Sequence, residues 1–96
     1  MTAPEDLVDS VYDEHTFVQF LAALSDDWYK HEEIEKRSPS PPYDAGALGW
    51  ENGSIGAFLE AASAYGESCL TQGKANKSDN PWHRAAEIIL AGKLYE

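Results

Sequence analysis

The sequence predicts an all-α fold: a small bundle of three main helices, led by a short N-terminal helix or extended lead-in and joined by long ordered connectors. Three observations carry this reading. Apolar residues recur at steps of three and four through two long stretches, which is the period of a helix with one buried face. No stretch alternates with the period of two that marks a strand. Helix stop and start signals, SPSPP and NPW, fall where the periodic stretches end and begin.

The chain opens with Leu7, Val8 and Val11, a short apolar set that fits one helical turn or an extended lead-in. Asp13 is a plausible N-cap, and Glu14 is well placed at the positive end of the helix it begins. Phe17, Phe20, Leu21, Leu24 and Trp28 then form one amphipathic stripe. Asp26 with Lys30, Glu32 with Lys36 and Glu33 with Arg37 add acid-to-base pairs four residues apart, each worth ~0.3 kcal/mol on an exposed face. SPSPP ends this helix at about Arg37. Its apolar stripe fades after Trp28, so its last two turns, carrying His31, Glu32 and Glu35, are expected to run past the core into solvent.

SPSPPYDAGALGWEN has no sustained period and reads as an irregular connector, packed down by Tyr43, Leu48 and Trp50. Asn52 or Ser54 can cap the second helix. Its stripe, Ile55, Phe58, Leu59, Ala62, Tyr65, Gly66 and Cys69, is the clearest in the chain. Gly56 and Gly66 each lower helix propensity by about 1 kcal/mol relative to Ala, and close packing against a neighbouring helix is the expected compensation. The polar stretch LTQGKANKSDN follows as a loop. Asn80 as N-cap and Pro81 at the first helical position start the closing helix. There Trp82, Ala85, Ala86, Ile89 and Lys93 make one strip, while Ile88, Leu90 and Leu94 cover other sides. A helix apolar on nearly all sides is a buried one, so the closing helix is expected at the centre with its end tied down.

Composition bounds the function classes. Ninety-six residues with no compositional break read as one domain, 1–96. No apolar run approaches the roughly 18 residues of a membrane span, and MTAPEDLVDS carries acids where a secretory leader carries bases, so a cytoplasmic location is expected. Cys69 is a lone cysteine on the second stripe and reads as a small buried hydrophobe. Seventeen acids against seven bases give a net charge of −10, and seven of those acids precede the first base, Lys30. Nucleic-acid and anionic-membrane partners need a basic patch, so both are disfavoured. Such a surface first serves solubility, and it is also the kind that steers a cationic protein partner.

Candidate chemistry is sparse. His31 and Glu35 stand one turn apart in HEEIE but lack the second His of a zinc-binding helix, and Asp27 with His31 is equally incomplete. His83, near the positive end of the closing helix, reads as a neutral surface or half-buried side chain. There is no nucleophile elbow, phosphate loop or dinucleotide fingerprint. No catalytic, cofactor-binding or metal-binding residue is therefore assigned, and no cofactor is expected. The residues nominated for partner binding are Tyr43 and Trp50 on the connector and His31, Glu32 and Glu35 on the long helix.

GWENGSIGAFLEAASAY and NPWHRAAEIILAGKLYE together resemble a family of small acidic bacterial proteins of unknown function. In that family a W-E-N-(G/P)-(S/T) start opens the middle helix, and a closing helix runs from a Trp through apolar residues to Y-E. The matching positions are Trp50, Glu51, Asn52, Gly53 and Ser54, then Trp82, Ile89, Leu90, Tyr95 and Glu96. The resemblance runs from Asp13 onward, implies a stand-alone domain in a bacterial cytoplasm, and carries over no catalytic residue. The leading functional expectation is a non-enzymatic protein-interaction module, immunity- or antitoxin-like toward a basic partner. Two other readings remain open: a carboxylate- or metal-dependent hydrolase at an interhelical cleft, and a homo-oligomeric structural module.

Overall fold

The computed structural model describes residues 3–41, 46–72 and 79–94, and every regular element in them is helical. A four-residue helix α1 (Pro4–Leu7) runs into a 3-10 turn (Val8–Ser10), followed by α2 (Glu14–Arg37), α3 (Ile55–Gln72) and α4 (Pro81–Leu94). No described helix is long and apolar enough to cross a membrane.

The helix starts follow the local chemistry. Asp13 caps α2: its Oδ1 accepts from Thr16 N–H at 2.9 Å, and the Thr16 hydroxyl accepts in return from Asp13 N–H at 3.1 Å. These two bonds satisfy donors that the first turn leaves without helical partners. The Asp13 carboxyl is held below its ordinary range by the two donors of Thr16 that reach Oδ1, first the backbone N–H and then the hydroxyl at 2.7 Å. Ser54 caps α3 through Ala57 N–H. Asn80 caps α4, its Oδ1 accepting from both Trp82 and His83 N–H, while its amide donates to Tyr12 O and ties the chain before α2 to the start of α4.

As expected from its composition, α4 is the central element, packing on α3, on α2 and on the 3-10 turn. Phe58 lies against Gly92, and Gly66 against Ile88, so α3 runs antiparallel to α4. The Phe17–Trp82 ring pair at one end and the Asp27–Lys93 ion pair at the other set α2 parallel to α4. Val11, Phe20 and Ala86 form the innermost cluster, with Leu7, Val8, Phe17, Trp82, Ile89 and Leu90 packed against it. Cys69 is buried on α3. By contrast α2 and α3 scarcely meet: both lean on α4 and splay apart above it.

Two expectations need correcting. The last turns of α2 are not a bare overhang. His31 is only 6 % exposed because residues 46–49 fold back as a turn whose Leu48 N–H donates to His31 Nδ1 at 3.2 Å. Gly46 makes this possible on two counts: its φ of +90° is a left-handed conformation, and a Cβ there would fall 2.5 Å from His31 Cε1. The tight helix–helix approach is likewise not at Gly56, which faces open space, nor at Gly66, which has ordinary contact with Ile88. It is at Gly92, where a Cβ would lie 2.8 Å from the Phe58 ring.

Candidate functional site

The splay of α2 and α3 leaves an open apolar groove of about 580 Å³. Leu21, Leu24, Ser25 and Trp28 form the α2 wall, Ile55, Phe58 and Leu59 the α3 wall, and Ile89 of α4 lies between them. Trp50, Asn52, Gly53 and Ser54, the stretch leading into α3, complete the lining. None of these residues is charged. Ile55 is 81 % exposed and Leu59 59 %, although both belong to the strongest hydrophobic stripe of the sequence. A stripe at helical spacing is normally covered by the fold; here its first two turns are covered only on the Phe58 side.

The aromatic wall is rigidly built. The Trp28 and Trp50 rings meet edge-on with centroids 5.1 Å apart, Trp50 stacks toward Phe58 at 6.1 Å, and Trp28 stacks on His31 at 5.8 Å. Tyr and Trp combine large apolar area with few rotatable bonds, which suits them to recognition surfaces.

A charged cluster fixes this wall from beneath. Lys93 is 1 % exposed, and its Nζ donates to Asp27 Oδ2 and Glu5 Oε2, both at 2.7 Å. The same Asp27 oxygen accepts from Trp50 Nε1 at 2.8 Å, and the ammonium lies 5.4 Å from the centroid of the Trp50 ring. One cation thus joins the N-terminal segment, α2, α4 and the connector. A buried Lys is costly unless paired and hydrogen-bonded, and here both conditions hold. The end of α4 is tied down alongside: Glu51 N–H donates to Lys93 O and the Asn52 amide to Gly92 O, both at 2.9 Å, supplying donors to carbonyls that a helix terminus leaves open.

The residues nominated from the sequence are dispersed around this region. Trp50 stands in the groove wall, buried against the fold except at its lining edge. His31 is enclosed beneath the 46–49 turn. Glu35 is half-buried; its carboxylate accepts from the Ser40 hydroxyl at 2.7 Å, the main reason its carboxyl sits below the usual range. Glu32 is exposed, one turn beyond Trp28 on α2. Tyr43 lies outside the described residues. Asp27 and His31 point to different partners, and among the described residues no three His, Cys, Asp or Glu side chains converge as a metal site. His83 is half-buried, with Nε2 3.4 Å from Asp9 Oδ1.

Sequence reasoning did not find the groove or the Lys93 cluster. One signal for the cluster was present: Lys93 lies four residues after Ile89 and seven after Ala86, on the buried strip of α4. The exposure of Ile55 and Leu59 had no such signal, because it depends on what α2 fails to cover. No curated protein and no solved structure matches the chain. A model of a protein family of unknown function, DUF7660, matches residues 13–96, from the cap of α2 to the last residue, and the chain belongs to that family.

Proposed function

We propose that this protein is a non-enzymatic protein-interaction module and that the groove between α2 and α3 receives an apolar segment of its partner. The observation that carries this reading is the exposure of Ile55 and Leu59 beside an aromatic wall held in place by the Trp50–Asp27 hydrogen bond. Apolar side chains gathered along a concave aromatic wall, with Ser25, Asn52 and Ser54 among the lining, are the kind of surface that binding grooves present. The wall is pre-formed, which lowers the ordering cost of association. The net charge of −10 favours a basic partner, speeding encounter more than it deepens affinity.

The test is a photo-reactive amino acid at position 59, compared with one at position 30, which helical geometry places on the opposite side of α2 from Leu21. In the cells that make the protein, position 59 gives a discrete adduct with another protein and position 30 does not. The partner so identified, once purified, binds the intact protein and loses affinity for the Ile55→Asp variant. Equal or absent adducts at the two positions remove the proposal.

A further inference from the structure

Resting on that reading, we infer that the occupant of the groove is an amphipathic helix of a second protein, with apolar anchors at i, i+3 or i+4 and i+7 and with Lys or Arg flanking them.

The helical form follows from hydrogen bonding. The two long walls belong to α2 and α3, whose backbone groups already bond within their own helices, and the described residues offer no strand edge. An extended segment laid between these two helical walls buries N–H and C=O groups that the walls cannot partner, each costing free energy. A helix satisfies its own backbone and presents only side chains. The geometry agrees: α2 and α3 lean on α4 without packing on each other, so one more helix laid between them completes a closed bundle. The α2 wall from Leu21 to Trp28 rises through seven helical steps, about 10 Å or two turns, which sets the anchor spacing of the occupant.

The charge of the occupant follows from the groove's surroundings. Glu14 and Glu32 lie seven residues before and eleven after Leu21, within about 20° of its bearing around α2 at 100° per residue. Both are exposed, so the apolar strip of this wall is bracketed by carboxylates. Lys30 points to the far side of α2, and Lys93 is enclosed by its two carboxylate partners. A second copy of this chain is disfavoured as occupant because it brings another net charge of −10 against these acids, and like charges across an interface are costly. A basic helix meets apolar walls with its anchors and Glu14 and Glu32 with its flanks.

The probe is a synthetic peptide of about 18 residues, five helical turns, built on Ala and Lys with Leu and Phe at the anchor spacing. It is titrated into the full-length protein, with binding read by tryptophan fluorescence and peptide helicity by circular dichroism. The basic peptide is expected to bind and become helical. The same peptide with Glu for every Lys should bind at least about tenfold more weakly at low salt, the gap narrowing as salt is raised. A version broken by a central Pro should lose about tenfold or more. The Ile55→Asp, Leu59→Glu double variant should lose the basic peptide although its own negative charge has grown, which separates groove binding from general attraction to an acidic surface. Equal affinity for the Lys and Glu forms overturns the charge assignment, and undiminished binding of the Pro form overturns the helix. An adduct of twice the chain mass at position 59 names a second copy as the occupant and also overturns the inference. If peptide binding fails while position 59 still yields a specific protein adduct, the inference falls and the interaction module stands; if both fail, the module falls too.

Discussion

Lys93 shows how much one residue's setting decides. An exposed Lys at the end of a helix adds a few tenths of a kcal/mol through the helix dipole. This one is enclosed, and removing it leaves Asp27, whose side chain is only 12 % exposed, without its countercharge. Lys93→Ala is therefore expected to destabilise the protein by about 3–5 kcal/mol, the range for breaking one partner out of a buried pair. Glu5 is 39 % exposed, and solvent screens its share, so Glu5→Gln should cost less than about 1 kcal/mol. Urea unfolding of the two variants checks the asymmetry; equal losses would show that the Glu5 pair, and not the buried Asp27 pair, accounts for the cost of losing Lys93. Gly46 makes a second prediction at this scale. Gly46→Ala meets both a left-handed φ and the His31 ring, so it should destabilise the protein by about 1–3 kcal/mol. Gly49→Ala, with nothing near its Cβ, meets the φ penalty alone and should cost less.

At the scale of elements, each long helix starts on a side-chain cap, and the cap of α2 titrates. The folded-state pKa of Asp13 is depressed below its ordinary 3.8 by hydrogen bonds from Thr16. Its contribution to stability is thus complete above about pH 4 and is lost as pH falls through the lowered folded value. Glu35, lowered chiefly by Ser40, follows the same sign from its ordinary 4.5. Melting experiments on the wild type and on Asp13→Ser test this, because a hydroxyl caps a helix without titrating. The wild type should melt above the variant at pH 6, and the difference should shrink or reverse toward pH 2.5. A difference that stays constant with pH would mean that the Asp13 carboxylate is not what the first turn of α2 depends on. The cap of α4 is a different case: Asn80 also binds Tyr12 O, so its loss loosens the joint between the N-terminal segment and α4 as well as the first turn.

For the molecule as a whole, the arrangement separates residues that hold the fold from residues that stand ready at its surface. Ile55 and Leu59 are apolar yet exposed, so Ile55→Asp with Leu59→Glu should shift the unfolding free energy by no more than about 0.5 kcal/mol, as for ordinary surface changes. Leu24, on the opposite wall of the groove but buried, should cost about 2–5 kcal/mol when truncated to Ala. Denaturant titration separates the two, and a large loss in the double variant would mean that the groove closes in solution. Deleting residues from Ala85 onward removes the helix on which α2, α3 and the 3-10 turn all pack, and the remaining chain should lose its cooperative melting transition. The long dimension of the molecule, 41 Å, is set by the 24 residues of α2, about 36 Å of helix.

The sequence by itself determined the long helices, the caps at Asp13 and Asn80, and the central place of α4, while the choice of Ser54 over Asn52 as the cap of α3 waited on the fold, which turns the Asn52 amide to Gly92 O. These are properties of local chemistry and of the period of apolar residues, both of which lie along the chain. Only the tertiary structure decided which apolar residues would be covered. Ile55 and Phe58 are indistinguishable as members of one stripe, yet one faces solvent and the other lies against Gly92, because α2 leans on α4 instead of closing over α3. Only the tertiary structure, likewise, selected Asp27 and Glu5 from seventeen acids, since their distinction is proximity to Lys93, 66 and 88 residues away along the chain. Periodicity records which face of a helix avoids water, but it does not record which neighbour arrives to cover it.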